Sequence, residues 1–236
     1  PVDNIIEFIT ISSTGDAADF GDLTQARRFT AGAGNATRGC FGGGLNATDR
    51  IDYVTIQSTG NAVDFGNLTV SRGQCAGFAS PTRGIFAGGH EHPSPSNSTN
   101  RIDFISIATL GNALDFGDLV NDNAEDQAGA SNPIKGIIAG GSPAGNSSQN
   151  VIQSLTIATL GNAVDFGDLV VGATSKGGGA SPTRAAFAGG YTNPASTVTN
   201  AIDYVEFATE GNAVDFGDLT QARDQLNGVS NGHGGL

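Results

Sequence analysis

The tripeptide Asp-Phe-Gly occurs five times in this chain of 236 residues, at a nearly constant spacing. The five phenylalanines are Phe20, Phe65, Phe116, Phe166 and Phe216, so successive copies lie 45, 51, 50 and 50 residues apart. A period of about 50 residues is typical of repeat architectures, in which each unit buries its apolar face against the next unit. The repeat therefore constrains the fold more strongly than any other feature of the sequence.

Each repeat contains four short segments with strand character, separated by turn residues. In the second repeat they are residues 51–56, 62–68, 71–78 and 84–89. The first alternates and is rich in β-branched residues, which suits a half-buried strand. Ser58-Thr59-Gly60-Asn61 and Ser80-Pro81 supply turn chemistry between segments. Four short strands per repeat are the pattern of one blade of a β-propeller.

The sequence therefore predicts an all-β fold, a single five-bladed β-propeller of kelch-like repeats spanning residues 1–236. The repeat units are about 5–44, 45–89, 90–141, 142–190 and 191–236. We expect the N- and C-terminal strands to close the ring, with residues 230–236 pairing against residues 6–11. A four-bladed ring with a loose fifth unit is the alternative. The strands that end in Gly-Gly are expected to be innermost, because glycine lets converging backbones approach closely. The five phenylalanines are expected to anchor neighbouring blades, since each can bury a large apolar area there.

Composition excludes several classes of partner. The formal net charge is −12, which argues against a nucleic-acid surface, and no segment is apolar over the length of a membrane span. Two cysteines, Cys40 and Cys75, are too few for a disulfide scaffold and leave the redox state open. The chain does not begin with Met, so we expect a processed product or part of a longer chain.

Cations recur at one position of the repeat, just before the Gly-Gly strand. They are Arg38, Arg83, Lys135 and Arg184, with His233 roughly in the fifth place. If the Gly-Gly strands line a channel, these cations form a ring at one end that can bind an anion or a partner's carboxylates. The favoured alternative is that each cation pairs with a carboxylate of its own or the adjacent blade.

Two further groups of polar residues are candidate ligand sites. Most Asp-Phe-Gly motifs are followed directly by a second aspartate, which gives pairs such as Asp19 and Asp22. These carboxylates offer oxygen ligands to Ca²⁺. The favoured interpretation is that their side chains cap turns. The variable loops after each Gly-Gly pair are candidate binding loops, with His90, Glu91, His92 and Tyr191 as their candidate residues. His-x-His binds Zn²⁺ only where other ligands converge, so we expect no metal site and no cofactor.

The amino-acid sequence of the repeat resembles that of a known repeat family. Residues 51–56 (Ile-Asp-Tyr-Val-Thr-Ile), residues 60–69 and residues 80–89 resemble a kelch repeat in which Phe replaces the usual Trp. More specifically, they are similar to the kelch-like repeats of virion structural proteins of marine cyanobacterial phages.

This resemblance implies a non-enzymatic structural or adhesion module of a virion or extracellular surface. Such a module would bind other virion proteins or the host surface through its loop face or blade edges. A carbohydrate-binding propeller is the alternative. A third hypothesis is an enzyme at the channel mouth, using the acidic stretch 121–126 of the third repeat.

Overall fold

The structure is a computed structural model that describes residues 2–45, 48–92, 98–120, 125–143 and 147–231. Within these ranges the chain forms β-strands and no helix, and so no helix that could cross a membrane. All strand pairs are antiparallel, and most strands belong to four sheets of four strands each.

The sheets follow one another along the chain. An N-terminal sheet has two strands, β1 (Ile5–Phe8) and β2 (Ala18–Asp22). Sheet I contains β3 (Ala31–Gly34), β4 (Arg38–Gly42), β5 (Arg50–Thr55) and β6 (Val63–Asn67). Sheet II contains β8 (Ala76–Ala79), β9 (Arg83–Ala87), β11 (Arg101–Ser106) and β12 (Leu114–Asp118). Sheet III contains β13 (Ala128–Ser131), β14 (Lys135–Ala139), β15 (Val151–Thr156) and β16 (Val164–Asp168). Sheet IV contains β17 (Gly177–Ala180), β18 (Arg184–Ala188), β21 (Ala201–Glu206) and β22 (Val214–Asp218).

Two short two-stranded ladders lie in the loop regions. One pairs β7 (Arg72–Gly73) with β10 (His90–Glu91), and the other pairs β19 (Tyr191–Thr192) with β20 (Thr197–Val198). Both contain residues that the sequence places in variable loops.

The strands that meet at the centre are β3, β8, β13 and β17, the first strand of each four-stranded sheet. Each contacts its counterpart in the next sheet, and all four line one central cavity. The expectation that the Gly-Gly strands would be innermost is therefore wrong. Those strands, such as β9, are second in each sheet, because they carry bulky apolar residues such as Ile85 and Phe86, which are fully buried between sheets. The Gly-Gly pairs that follow them have positive φ angles and turn the chain out of the sheet; Gly88 and Gly89 have φ of 64° and 103°.

Glycine backbones approach one another closely at the centre. A Cβ atom added to Gly77 would collide with the carbonyl oxygen of Gly32, and the same collision recurs between Gly129 and Gly77, and between Gly178 and Gly129. Gly228, in the C-terminal segment, stands in the same relation to Gly178. This position is thus limited to glycine at residues 77, 129, 178 and 228, whereas Gly32 of β3 has open space beside it.

Apolar layers fill the spaces between neighbouring sheets. The Asp-Phe-Gly phenylalanines Phe65, Phe116 and Phe166 are 3% exposed, and Phe20 is 8% exposed. One backbone hydrogen bond recurs at each of these layers: the carbonyl oxygen of the motif's phenylalanine accepts a bond from a glycine amide of the following sheet. The pairs are Phe20 with Gly60, Phe65 with Gly111, Phe116 with Gly161 and Phe166 with Gly211.

The fifth contact of this series is not formed in the described part of the chain. Phe216 is 61% exposed, and Gly217 has open space where the equivalent glycines, such as Gly66 and Gly117, meet the backbone of the next sheet. Among the described residues the N-terminal sheet packs on sheet I through Phe20, Val54 and Ala62, and no corresponding contact with sheet IV is formed there. Most of the segment predicted to pair with β1 and its loop, residues 232–236 with His233, lies outside the described residues.

We predict that Gly178→Ala lowers the free energy of unfolding by about 1–3 kcal/mol, because its methyl group meets the backbone of Gly129. The matched control is Gly179→Ala in the same strand, where a Cβ atom has nothing within 4 Å. Urea unfolding of both variants checks this. Equal losses would show that strand propensity, not close approach at the centre, restricts these positions.

Candidate functional site

The inner strands surround a central cavity of about 460 Å³. The C-terminal segment, residues 226–230, contributes a fifth wall beside β17, where Ser230 Oγ accepts a bond from the Ala180 amide at 2.9 Å. The lining is mostly small residues and backbone, with the polar side chains of Thr30, Gln127 and Ser131 among them. Such a surface offers hydrogen bonds but little charge.

The candidate cation ring does not line this cavity. Arg38, Arg83, Lys135 and Arg184 begin the second strand of each sheet. The guanidinium of Arg38 stacks 4.9 Å from the Tyr53 ring, and Arg83 and Arg184 each stack 4.8 Å from Phe104 and Tyr204. Arg38 and Arg83 also donate to carbonyl oxygens of the next sheet, those of Ile107 and Ile157. The guanidinium groups of Arg38 and Arg83 therefore join sheet I to sheet II and sheet II to sheet III.

Three buried ion pairs lie inside the sheets. They are Arg27–Asp52 at 3.0 Å, Arg72–Asp103 at 3.2 Å and Lys176–Asp203 at 3.4 Å, with all six side chains at most 1% exposed. The sequence analysis missed these pairs, although the carboxylates occupy one repeated position. The signal was available in the recurring Asp at the third residue of strands β5, β11 and β21.

Two of the three pairs, those of Asp52 and Asp103, also connect chain segments. The amide and hydroxyl of Thr24 donate to Asp52, and those of Thr69 donate to Asp103, so that the carboxylate fixes the connection between successive sheets. Arg72 and Arg27 additionally donate to the carbonyls of Phe86 and Phe41. The carboxylates therefore act as structural acceptors for buried donors, which would otherwise be costly to bury.

Burial works against the charged forms of these groups. It lowers the pKa of Lys176 and raises the pKa of Asp203, and in each case the partner's charge opposes the shift only in part. Burial also lowers the pKa of Arg27, against the attraction of Asp52.

Sheet III has a neutral version of the pair. Gln153 stands at the carboxylate position, and its Oε1 accepts a bond from the Val120 amide at 2.6 Å. Gln127 stands one residue before the inner strand, where sheet IV has Lys176. Cation and carboxylate have thus been replaced together, as expected because a buried charge without its partner is strongly destabilising.

The loop face brings together part of the candidate binding set. His90 Nδ1 lies 2.9 Å from Glu125 Oε2, and the rings of His90 and His92 meet edge to face at 5.2 Å. Glu91 is 3.5 Å from Arg101. Burial lowers the pKa of His92, with a smaller contribution from the positive charge of His90. The contact of His90 with Glu125 joins the loop of sheet II to the segment that leads into sheet III.

Tyr191 lies apart from the histidines, in the loop of sheet IV. Its backbone exchanges hydrogen bonds with Thr174, and its carbonyl accepts a bond from the hydroxyl of Ser148 in the loop of sheet III. Of the acidic stretch 121–126, residues 121–124 lie outside the described residues. Asp126 accepts a bond from Gln74, and burial raises its pKa.

Two of the motif's aspartates bond within their own outer strand, at a β-bulge rather than in a turn. Asp19 and Asp215 accept bonds from the amides of Gly21 and Gly217. The nearby asparagines bridge sheets: Asn61, Asn112, Asn162 and Asn212 each accept a bond from the outer strand of the preceding sheet. Within the described ranges no group of three or more His, Cys, Asp and Glu side chains is placed to hold a metal ion.

Both cysteines are free thiols. Burial raises the pKa of Cys40 to about 12 and also raises that of Cys75. Neither thiol is therefore activated as a nucleophile.

The sheets, inner strands and central cavity define a propeller-like all-β fold. No protein-family model matches the chain, and no curated protein matches it in sequence. Among solved structures, one titled "Structure of YjhT" matches with a TM-score of 0.73, covering 90% of this chain and 77% of the other, at 11% sequence identity. At this identity the likeness concerns the fold alone.

We predict that Lys176→Gln destabilises the protein by about 3–5 kcal/mol, because Asp203 is left buried without its cation. The double variant Lys176→Gln with Asp203→Gln, which copies the residue types of sheet III, should recover most of that loss. Arg184→Gln is the control, since it breaks the exposed pair with Glu206 and should cost much less. Urea unfolding gives all three values, and a double variant no better than the single one would contradict the pairing argument.

Proposed function

We propose that this chain is a non-enzymatic structural or adhesion module of a virus particle, which binds other virion proteins or the host surface. The main support for the proposal is that the repeated polar and charged residues make contacts within and between the sheets. The buried aspartates hold connections between sheets, the arginines stack on aromatic rings, and the asparagines bridge neighbouring sheets. The resemblance of the repeat to kelch-like repeats of phage virion proteins supports the same assignment.

The rim of the molecule is the surface best suited to protein contacts. The outermost strands carry one exposed aliphatic residue each, more than half exposed in every case: Val63, Leu114, Val164 and Val214. An exposed aspartate follows each of them. Repetition of an apolar residue beside a carboxylate gives the rim several similar contact points.

We expect cross-linking of intact virions to join this rim to other virion proteins. A carboxylate-to-amine reagent suits the chain, which has 23 acidic residues. Cross-links should start from Asp64, Asp115 and Asp165 on the outer strands, whereas buried Asp52 and Asp103 serve as unreactive internal controls. Mass spectrometry locates the products. Absence of the chain from virions, or hydrolysis of a polysaccharide by the purified chain, would contradict the proposal, and strong glycan-array binding would favour the carbohydrate-binding alternative.

The module is further proposed to be a closed five-bladed ring, with the C-terminal segment completing the N-terminal sheet. Two features of the sequence support this. Residues 219–223 repeat residues 23–27 (Leu-Thr-Gln-Ala-Arg), and Glu7 stands at the position of Asp52 in its strand. In the closed ring Arg223 would pair with Glu7 as Arg27 pairs with Asp52, and Phe216 would be covered by the β1–β2 turn.

A double-mutant cycle on Glu7 and Arg223 tests the closure. If the ring closes, Glu7→Arg and Arg223→Glu each destabilise the fold, and the double exchange restores stability with a coupling of about 0.5–3 kcal/mol. The Arg27–Asp52 pair, already 3.0 Å apart, provides the positive control. Additive effects at Glu7 and Arg223, beside coupled effects in the control, would mean that the ring stays open in solution.

A further inference from the structure

Among the three buried ion pairs of the described chain, only the pair in sheet IV has a lysine as its cation. Lys176 Nζ lies 3.4 Å from Asp203 Oδ2, with the two side chains 0% and 1% exposed, and it also donates to the Gly189 carbonyl at 2.9 Å. Lys176 directly precedes β17 and Asp203 is the third residue of β21, so the pair spans β18, which lies between these strands. The fold thus holds an amine and a carboxyl group in contact, away from water.

Three differences separate this pair from the pairs of sheets I and II. The arginine guanidinium keeps its proton in proteins, whereas a buried lysine can lose one. A threonine hydroxyl donates to each of the other two carboxylates, those of Asp52 and Asp103, but Val170 stands at the corresponding position of the repeat for Asp203. Asp203 Oδ2 accepts no hydrogen bond of ordinary geometry from any described residue. Each difference removes a contact that stabilises the charged forms of the two groups.

The surroundings of the pair favour a neutral amine and a neutral acid. Burial lowers the pKa of Lys176, and the charge of Asp203 opposes this shift only in part. Burial also raises the pKa of Asp203 against the charge of Lys176, and the negative charge of Asp215 on the neighbouring strand adds to the rise. A desolvated neutral lysine is a nucleophile, and groups held in contact react much faster than the same groups free in solution.

We propose that Lys176 and Asp203 become joined by a covalent amide bond within the folded chain. The nitrogen lone pair of Lys176 forms a bond to Cγ of Asp203, and the carbonyl π electrons move onto the oxygen. As the carbonyl forms again, the tetrahedral carbon expels the hydroxyl group, which takes a proton from the nitrogen and leaves as water. The products are one amide and one water molecule, and no oxidant, reductant or further reactant is consumed.

The bond reinforces the sheet that has the least cover among the described residues. Phe216 on the outer strand of sheet IV is 61% exposed, whereas the equivalent Phe65 and Phe116 of sheets I and II are 3% exposed. An amide between the segment before β17 and strand β21 keeps the innermost strand attached to the third strand, independently of what packs on the sheet. Sheets I and II pack against a neighbour on both sides, and their arginines cannot form such a bond.

Intact-mass spectrometry of the folded wild-type chain tests the proposal. We expect a species lighter by the mass of one water molecule, in a fraction that does not decrease with time of incubation. Trypsin cannot cut after a lysine whose amine is acylated, so digestion should give residues 136–184 joined to residues 185–223 as one branched product.

Two variants provide matched controls. Lys176→Arg keeps a cation opposite Asp203 but has no amine to acylate, so it should retain the full mass, and it serves as the reference for the ion pair without the bond. Arg184→Gln changes only the exposed pair with Glu206 and should lose water as the wild type does.

The proposal is overturned if the folded wild-type chain keeps its full mass after prolonged incubation. It is also overturned if water is lost without the branched product, because an aspartate that cyclises onto the backbone loses the same mass. An equal loss of water in Lys176→Arg would contradict it as well.

Discussion

The close approach of glycine backbones at the centre sets the shape of the whole molecule. Where Gly178 packs on Gly129, and Gly129 on Gly77, no side chain fits between the inner strands, and the sheets can only diverge outward from there. The widening space between them must be filled, because voids in a protein core are destabilising. The repeat fills it with progressively larger residues: alanine in the inner strands, isoleucine and phenylalanine in the second strands, and the Asp-Phe-Gly phenylalanine towards the rim.

The same geometry explains why charge is found inside the sheets. The connection from each outer strand back to the next inner strand crosses the top of a sheet and leaves amides and hydroxyls to satisfy there. Asp52 and Asp103 accept these bonds through Thr24 and Thr69, and a cation then neutralises each carboxylate. In sheet IV the cation is Lys176 from a different position of the repeat, which shows that the neutralising charge matters more than the residue that provides it.

The sequence predicted the period, the all-β class and the burial of phenylalanines such as Phe65, because strict repetition exposes these features directly. It misplaced the inner strand, since Gly177–Ala180 has no apolar alternation and resembles a loop in the sequence. The sequence also predicted the wrong surroundings for Arg83, because its contact partner is the Phe104 ring, twenty-one residues away in the chain. Contacts between repeats, including Arg38 with the Ile107 carbonyl, depend on the packing of sheets and leave no local pattern.

Departures from the repeat in sheet III are compensated by neighbouring residues. In sheet III the exchange of charge for amide at Gln153 comes with a neutral residue at Gln127, and Gln153 still accepts the connecting amide of Val120, so the framework is preserved. The exchange of an aromatic ring for Ser154 is compensated by a different residue type: the ammonium of Lys135 lies 5.3 Å from the centre of the Phe166 ring, and Ser154 and Phe166 are only 2% and 3% exposed. The repeat therefore tolerates a change of residue type where a neighbouring side chain takes over the lost contact.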